Sequence, residues 1–279
     1  MTLPRIGVFD SGVGGLTVLR AMSEQMPAHY LYFGDTARLP YGTKSAETVA
    51  RYAIGATRFL ECQNIDLLVI ACNTATALAL PQIKHAARVP VIGVVEPGAA
   101  MAAEVSRSRS AIVIATEATV SSHAYRDALR QHGLEAYEKA CPLFVPLVEE
   151  GWIDHPVTEQ VARIYLGEAM AQSSDTADVL VLACTHYPLI APLLRRITPS
   201  YVKIVDSAES TARVVRNLLL DQSAPIEPQD NRLVISSGAP SDHRSFRFFV
   251  TDSVDKFKRL ATRFLGRQVD HVEHVDLGG

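Results

Sequence analysis

The chain has 279 residues, an apolar share of 48% and a formal net charge of −3. That length and apolar content suffice for one large or two medium cores. No basic run is present to neutralise a series of phosphates, which excludes nucleic acid as the main ligand and points to a small molecule.

Met1 to Arg5 lead directly into an apolar run, without a charged segment followed by a long apolar stretch. No segment reaches membrane-spanning length, so no membrane partner and a cytoplasmic location are expected. Arg5–Phe9 is the first predicted strand, and Asp10-Ser-Gly-Val-Gly-Gly15 follows it. Glycine permits close backbone approach, so this loop can turn N–H groups toward a carboxylate or phosphate. Its spacing matches neither a Walker loop nor a full dinucleotide fingerprint. Asp10 reads either as a turn residue or, at a strand end, as a substrate or proton-relay group.

The strand Tyr30–Phe33 runs into a second polar, turn-forming segment that extends to Gly42. A predicted helix Ser45–Gln63, strand Leu67–Ala71, helix Thr74–Arg88 and strand Val91–Val94 complete the first half. Turn residues at Pro97-Gly98 mark a boundary. Beyond it come strand Ala111–Ala115, helices Ser121–His132 and Val157–Gln172, and strands Val179–Ala183 and Val202–Val205. A second crossing near Asp206-Ser207 returns helix Ala208–Asp221 and a strand at Arg232–Ser236 to the first half. The alternation predicts an α/β fold of two pseudo-symmetric domains with mainly parallel sheets, flanking helices and a site in the cleft between them. The expected domains are residues 1–97 plus 207–279, and residues 98–206.

An internal repeat carries the chemistry. Asp66-Leu-Leu-Val-Ile-Ala-Cys72-Asn-Thr-Ala75 aligns with Asp178-Val-Leu-Val-Leu-Ala-Cys184-Thr-His-Tyr187, and a weaker echo pairs Ile6–Ser11 with Ala111–Thr116. Two cysteines therefore hold equivalent places, each after an apolar strand and before a helix, where ligands of α/β sheets bind. The four cysteines form no Cys-x-x-Cys pair or zinc spacing, so no metal is expected and each is a lone reduced thiol. Cys62 and Cys141 lack the strand-end, helix-start surroundings of the other two and read as structural. At Cys72 and Cys184 the helix N-terminus should favour thiolate, and His186 is placed to tune its neighbour or move a proton. Inverting a stereocentre needs one group to take the α-proton from one face and another to deliver a proton to the opposite face. Two thiols from chemically similar halves suit that reaction.

At these motifs the sequence resembles the bacterial glutamate racemases over nearly its full length. The resemblance rests on Asp10-Ser-Gly-Val-Gly-Gly15, Gly34-Asp-Thr-Ala-Arg-Leu-Pro-Tyr-Gly42, Ala71-Cys-Asn-Thr-Ala75, Glu96-Pro-Gly98 and Ala183-Cys-Thr-His-Tyr-Pro188. It implies interconversion of L- and D-glutamate without pyridoxal phosphate, other cofactor or metal, supplying D-glutamate for peptidoglycan. It implies that Cys72 and Cys184 are the acid/base pair, assisted by Asp10 and His186, with substrate contacts from Asp10, Ser11, Tyr41, Gly42, Asn73, Thr74, Thr185 and His186. Asp35 and Glu149 are implied as further polar groups near the site, with Glu150 an alternative to Glu149. Ala115-Thr-Glu-Ala-Thr119 departs from the family, which commonly has glycine in place of alanine here, and leaves Thr119 as a candidate contact. A homodimer is implied, and without an N-terminal extension no activation by a cell-wall precursor is expected.

Three other readings compete. A related two-cysteine racemase or isomerase would act on aspartate, a hydantoin or a maleate-like diacid. A non-catalytic two-domain clamp would have no need of symmetric thiols. A pyridoxal enzyme would need a lysine at the paired motifs, where the nearest, Lys44, suits a solvated helix start.

Overall fold

The computed structural model describes residues 3–174, 176–220 and 244–278. The strand expected at Arg232–Ser236 lies outside the described residues. Ten strands and eleven α-helices occur among them. The first half runs β1 (Arg5–Asp10), α1 (Leu16–Gln25), β2 (His29–Gly34), α2 (Ala46–Cys62), β3 (Leu67–Ile70), α3 (Asn73–Ala86) and β4 (Val91–Gly93). Next come α4 (Val95–Val105), β5 (Ser110–Ala115), α5 (Glu117–Ser122), α6 (Ala124–Gln131), β6 (Glu135–Ala140), α7 (Phe144–Glu149) and α8 (Pro156–Gln172). The remainder is β7 (Val179–Ala183), α9 (Ala191–Ile197), β8 (Lys203–Asp206), α10 (Ser207–Leu220), β9 (Ser245–Val250), α11 (Val254–Leu265) and β10 (Glu273–His274).

Local chemistry accounts for the main elements. Ser45 opens α2 by accepting the Thr48 N–H, and Val49, Ala53, Ala56 and Leu60 form its buried stripe. Pro156 starts α8, where its missing N–H costs nothing. In β1, Ile6 and Val8 face one core while Phe9 faces another, as the two-residue period of a strand requires.

Two parallel sheets result, with strand orders β10-β9-β2-β1-β3-β4 and β6-β5-β7-β8. This is the α/β architecture expected from the alternation. The inner order of the first sheet, β2-β1-β3-β4, is repeated as β6-β5-β7-β8, so β1 corresponds to β5 and β3 to β7. Within this repeated set each sheet reverses its winding direction once, between β1 and β3 in the first and between β5 and β7 in the second. Ligands of open α/β sheets bind at the strand ends beside that reversal. The residues found there are Asp10, Ser11 and Cys72 in one sheet, and Thr116 and Cys184 in the other.

A central apolar cluster joins the inner faces of both sheets through α1, α10 and α11, while separate clusters fill the outer face of each sheet. Two details differ from the sequence reading. The single helix expected at Ser121–His132 divides at His123, whose φ of 57° ends α5, with its Nδ1 held 2.7 Å from Glu138 Oε2. Pro97-Gly98 sits inside the first turn of α4 rather than in a free turn, because proline is tolerated there. Among the described residues no helix is long and apolar enough to cross a membrane.

Candidate active site

Cys72 ends the β3 segment and caps α3. Its Sγ accepts the Ala75 N–H at 3.4 Å and lies 3.5 Å from Ser11 Oγ, and the residue is 5% exposed. Cys184 follows β7 with 6% exposure, and the His186 backbone N–H is directed at its sulfur. Burial pushes the Cys72 thiol up to about 11, the nearby Asp10 carboxylate adds to this, and the hydrogen bonds from Ser11 and Ala75 only partly oppose it. Cys184 is pushed higher still, first by burial, then by Cys72, Asp10 and Cys141. This corrects the expectation that the helix ends favour thiolate: their hydrogen bonds act in that direction but are outweighed by loss of water. The same interactions place both thiols and Asp10 in one electrostatic neighbourhood.

The glycine-rich loop is where the first half meets the second thiol motif. Asp10 is almost fully buried, accepts the Gly12 N–H at 2.8 Å, and has its carboxyl raised chiefly by burial. A Cβ on Gly14 would lie 2.2 Å from Thr185 Oγ1 and 2.6 Å from His186 Nδ1, so only glycine lets this loop touch the second thiol motif. Thr17 fastens the contact by donating to the carbonyls of Gly14 and Thr185, at 2.9 and 3.0 Å.

The remaining candidates fall into three groups. Asn73 and Thr74 start α3 and cross to the second half. Asn73 donates to Ser207 and accepts from the Tyr125 hydroxyl at 2.6 Å. Thr74 Oγ1 lies 3.0 Å from Thr116 Oγ1 and 3.3 Å from Thr119 Oγ1. Gly42 lies against Thr116 as well. Thr116, Tyr125 and Ser207 were not named as candidates from the sequence; the weak echo of Ile6–Ser11 in Ala111–Thr116 pointed to the first, while the only signal of the other two is a contact made across the fold. Asp35, by contrast, is fully buried and its carboxylate is filled by Tyr41 at 2.6 Å, Thr251 at 2.9 Å and Arg38 at 3.1 Å. It holds the Gly34–Gly42 segment and turns the Tyr41 hydroxyl toward itself.

On the second half, His186 Nε2 lies 3.2 Å from Glu149 Oε1, whereas Glu150 is exposed, so Glu149 is the glutamate beside the site. The Glu149 carboxyl is held below its ordinary value, first by the hydrogen bond with His186 and then by the charges of His186 and Lys256. Cys141 is buried and its carbonyl accepts from the Tyr187 hydroxyl, while Cys62 is exposed. Among the described residues no group of His, Cys, Asp or Glu is arranged to hold a metal ion. A surface groove of about 570 Å³ runs along β8 between Met101, Arg195 and Lys203 and shares no residue with the thiol joint.

Two buried thiols thus stand at equivalent strand ends of two α/β halves, which hydroxyls and backbone N–H groups join. Comparison with known proteins gives the family. Residues 6–215 match the model of the Asp/Glu/Hydantoin racemase family. A glutamate racemase of Koribacter versatilis is 61% identical, covering 99% of this chain and 98% of that one. Among solved structures, a glutamate racemase isoform from Bacillus anthracis superposes with a TM-score of 0.86 at 35% identity, covering 98% of both chains. The glutamate racemase of Francisella tularensis in complex with D-glutamate gives 0.84 at 33% identity, covering 99% of both chains. The chain belongs to the Asp/Glu/hydantoin racemase family.

Proposed function

We propose that this protein is a glutamate racemase that interconverts L- and D-glutamate with Cys72 and Cys184 as its acid/base pair. The observation that carries the reading is the placement of one thiol at each of two equivalent winding reversals. The relatives supply the substrate: they are glutamate racemases, one of them in complex with D-glutamate.

In the reaction one sulfur, as thiolate, takes the α-proton and becomes S–H. The other, as thiol, gives its proton to the opposite face of the α-carbon and becomes thiolate. Protons balance, and the enzyme emerges in the mirror protonation state. The α-carbanion spreads its charge onto the substrate carboxylate, which the N-terminus of α3 and the hydroxyls of Thr74 and Thr119 are suited to receive. Asn73, Thr185 and Ser11 complete that polar lining, and Tyr41-Gly42, held by Asp35, form its rim. An α-ammonium brought between the two sulfurs supplies the positive charge that offsets burial and Asp10, so thiolate forms where substrate is bound. Asp10 assists Cys72, and His186 with Glu149 assists Cys184.

Residues 1–97 plus 207–279 and residues 98–206 act in this reading as two units that close on the substrate. D-Glutamate so formed would feed peptidoglycan assembly. A second copy of the chain is the expected partner, which sedimentation would reveal as a dimer. The activity is tested with pure reduced protein and L-glutamate in deuterium oxide. Incorporation of deuterium at the α-carbon with loss of optical rotation is expected, and neither occurring would overturn the assignment. A panel containing aspartate, hydantoins and maleate separates glutamate from the substrates of related two-cysteine enzymes.

A further inference from the structure

Three side chains of α11 converge on the support of His186. The helix follows β9 of the first sheet, yet Lys256, Arg263 and Phe264 all reach residues of the second half. Lys256 Nζ lies 3.3 Å from Glu149 Oε2, while Glu149 Oε1 faces His186 Nε2 at 3.2 Å, so a single carboxylate joins the lysine to the histidine. Arg263 donates to the backbone carbonyls of Val148 and Glu149 at 3.0 and 2.9 Å. Those carbonyls close α7, where no intrahelical N–H remains to meet them. The Phe264 ring meets the His186 ring edge-on, with centroids 5.0 Å apart. Residues 256 and 263 are two turns apart and share a helix face, with 264 adjacent. Gly151, with φ of +88°, clears the way: a Cβ there would stand 2.6 Å from Arg263 Nη2.

We propose that Lys256 is a positioning residue, holding Glu149 against His186 from the opposite half and so aligning the proton path beside Cys184. The inference rests on the racemase reading of the same site. The charged groups facing Glu149 are His186 from the loop after β7 and Lys256 from α11, with the Arg263 guanidinium at its backbone; Asp10 acts on His186 from the first loop. Among the described residues no counterpart of α11 reaches Cys72, whose neighbours include Ser11, Ala75 and Asp10. The two thiols are therefore supported differently, although the reaction treats them alike.

That asymmetry sets the experiment. Enantiomers are equal in free energy, so any substitution changes kcat/KM by the same factor in both directions. Primary isotope effects are not so constrained. If the Cys184 step alone slows, the isotope effect of α-deuterated substrate rises for the enantiomer from which Cys184 takes the proton. It falls for the other, whose limiting step moves to reprotonation.

Lys256→Met is measured with wild type and Lys256→Arg, using both α-deuterated enantiomers across the pH range. Lys256 is 52% exposed and Glu149 20% in their side chains, so the expected loss in kcat/KM is modest, about two- to fivefold. The acid limb of the profile should move to higher pH, because a positive charge that favours the carboxylate has been removed. The isotope effects should diverge in opposite senses, and Lys256→Arg should restore both. Unchanged profiles, isotope effects that move in the same sense, or failure of arginine to restore them would overturn the proposal. A wild-type protein without α-exchange would instead overturn the racemase reading itself.

Discussion

Asp10→Asn provides the sharpest test of how the thiols are held. The substitution is nearly isosteric and can keep an oxygen to accept the Gly12 N–H, yet removes the charge that acts on both sulfurs. In the free protein Cys72 is raised from 9.0 to about 11. At pH 8 that lowers its thiolate fraction from about one in ten to about one in a thousand, a cost of about 3 kcal/mol. A neighbouring carboxylate of this kind accounts for roughly a tenfold loss of thiolate, and Asp10 stands second to burial among the causes of the rise. Burial supplies the larger part and is untouched by the change. Alkylation by iodoacetamide, followed peptide by peptide in a mass spectrometer, reads the thiolate directly, with the exposed Cys62 as internal comparator. Asp10→Asn should speed alkylation of Cys72 about tenfold at pH 8 relative to Cys62, while turnover falls because the charge that assists proton transfer is lost. An unchanged or slower Cys72 rate would refute the claim that Asp10 holds the thiol protonated.

Replacing either Cys72 or Cys184 by serine should leave the circular dichroism spectrum intact and cut kcat about 10²- to 10⁴-fold, the usual worth of a positioned acid or base; retained turnover would exclude that sulfur. Glu149→Gln removes the charge partner of His186, and a fall in kcat/KM of about tenfold is expected, with the acid limb of the pH profile flattened. Gly14→Ala drives a methyl against Thr185 and His186, so kcat/KM should fall by about tenfold or more, with a stability loss of about 1–3 kcal/mol in urea titration. Stability should also fall at alkaline pH. Cys72 keeps its proton in the folded state up to about 11 but loses it near 9 once unfolded. Its contribution, on the order of 3 kcal/mol, is thus fully present below pH 9 and lost by pH 11, measurable by urea titrations of wild type against Cys72→Ser.

The repeat around the two thiols was legible because it is local: an apolar strand, a cysteine and a helix start, written twice. The sheet order then converts that repetition into geometry, since β1-β3 and β5-β7 are equivalent reversals. Other parts of the site carry no such local mark. Tyr125 and Ser207 matter through Asn73, which the chain brings to them across the joint. The choice between Glu149 and Glu150 is made by the end of α7, where one side chain turns to His186 and the other to solvent. β6 was missed because it is an edge strand whose charged Glu-Ala-Tyr-Glu-Lys-Ala sequence lacks an apolar face. β9 does alternate, with Phe246, Phe248 and Val250 against Ser245, Arg247 and Phe249, and its signal was available. Ionisation was the property least readable from pattern: helix ends favour thiolate, but only the folded packing reveals how much water each sulfur has lost.

A racemase has to present equal competence to two mirror-image substrates, and a duplicated half-site is the direct way to build it. The surroundings of the two sulfurs nevertheless differ. Cys72 has a serine, a helix-end N–H and a buried carboxylate, whereas Cys184 has a histidine backed by a glutamate that the opposite half holds in place. The difference is tolerable because equal free energies of the enantiomers fix only the ratio of the two kcat/KM values, leaving each transition state free to sit at its own height. Selection on rate can then act on either side separately. An asymmetric site is therefore compatible with symmetric chemistry, provided both sulfurs reach the same carbon and the closing of the two halves controls when they do.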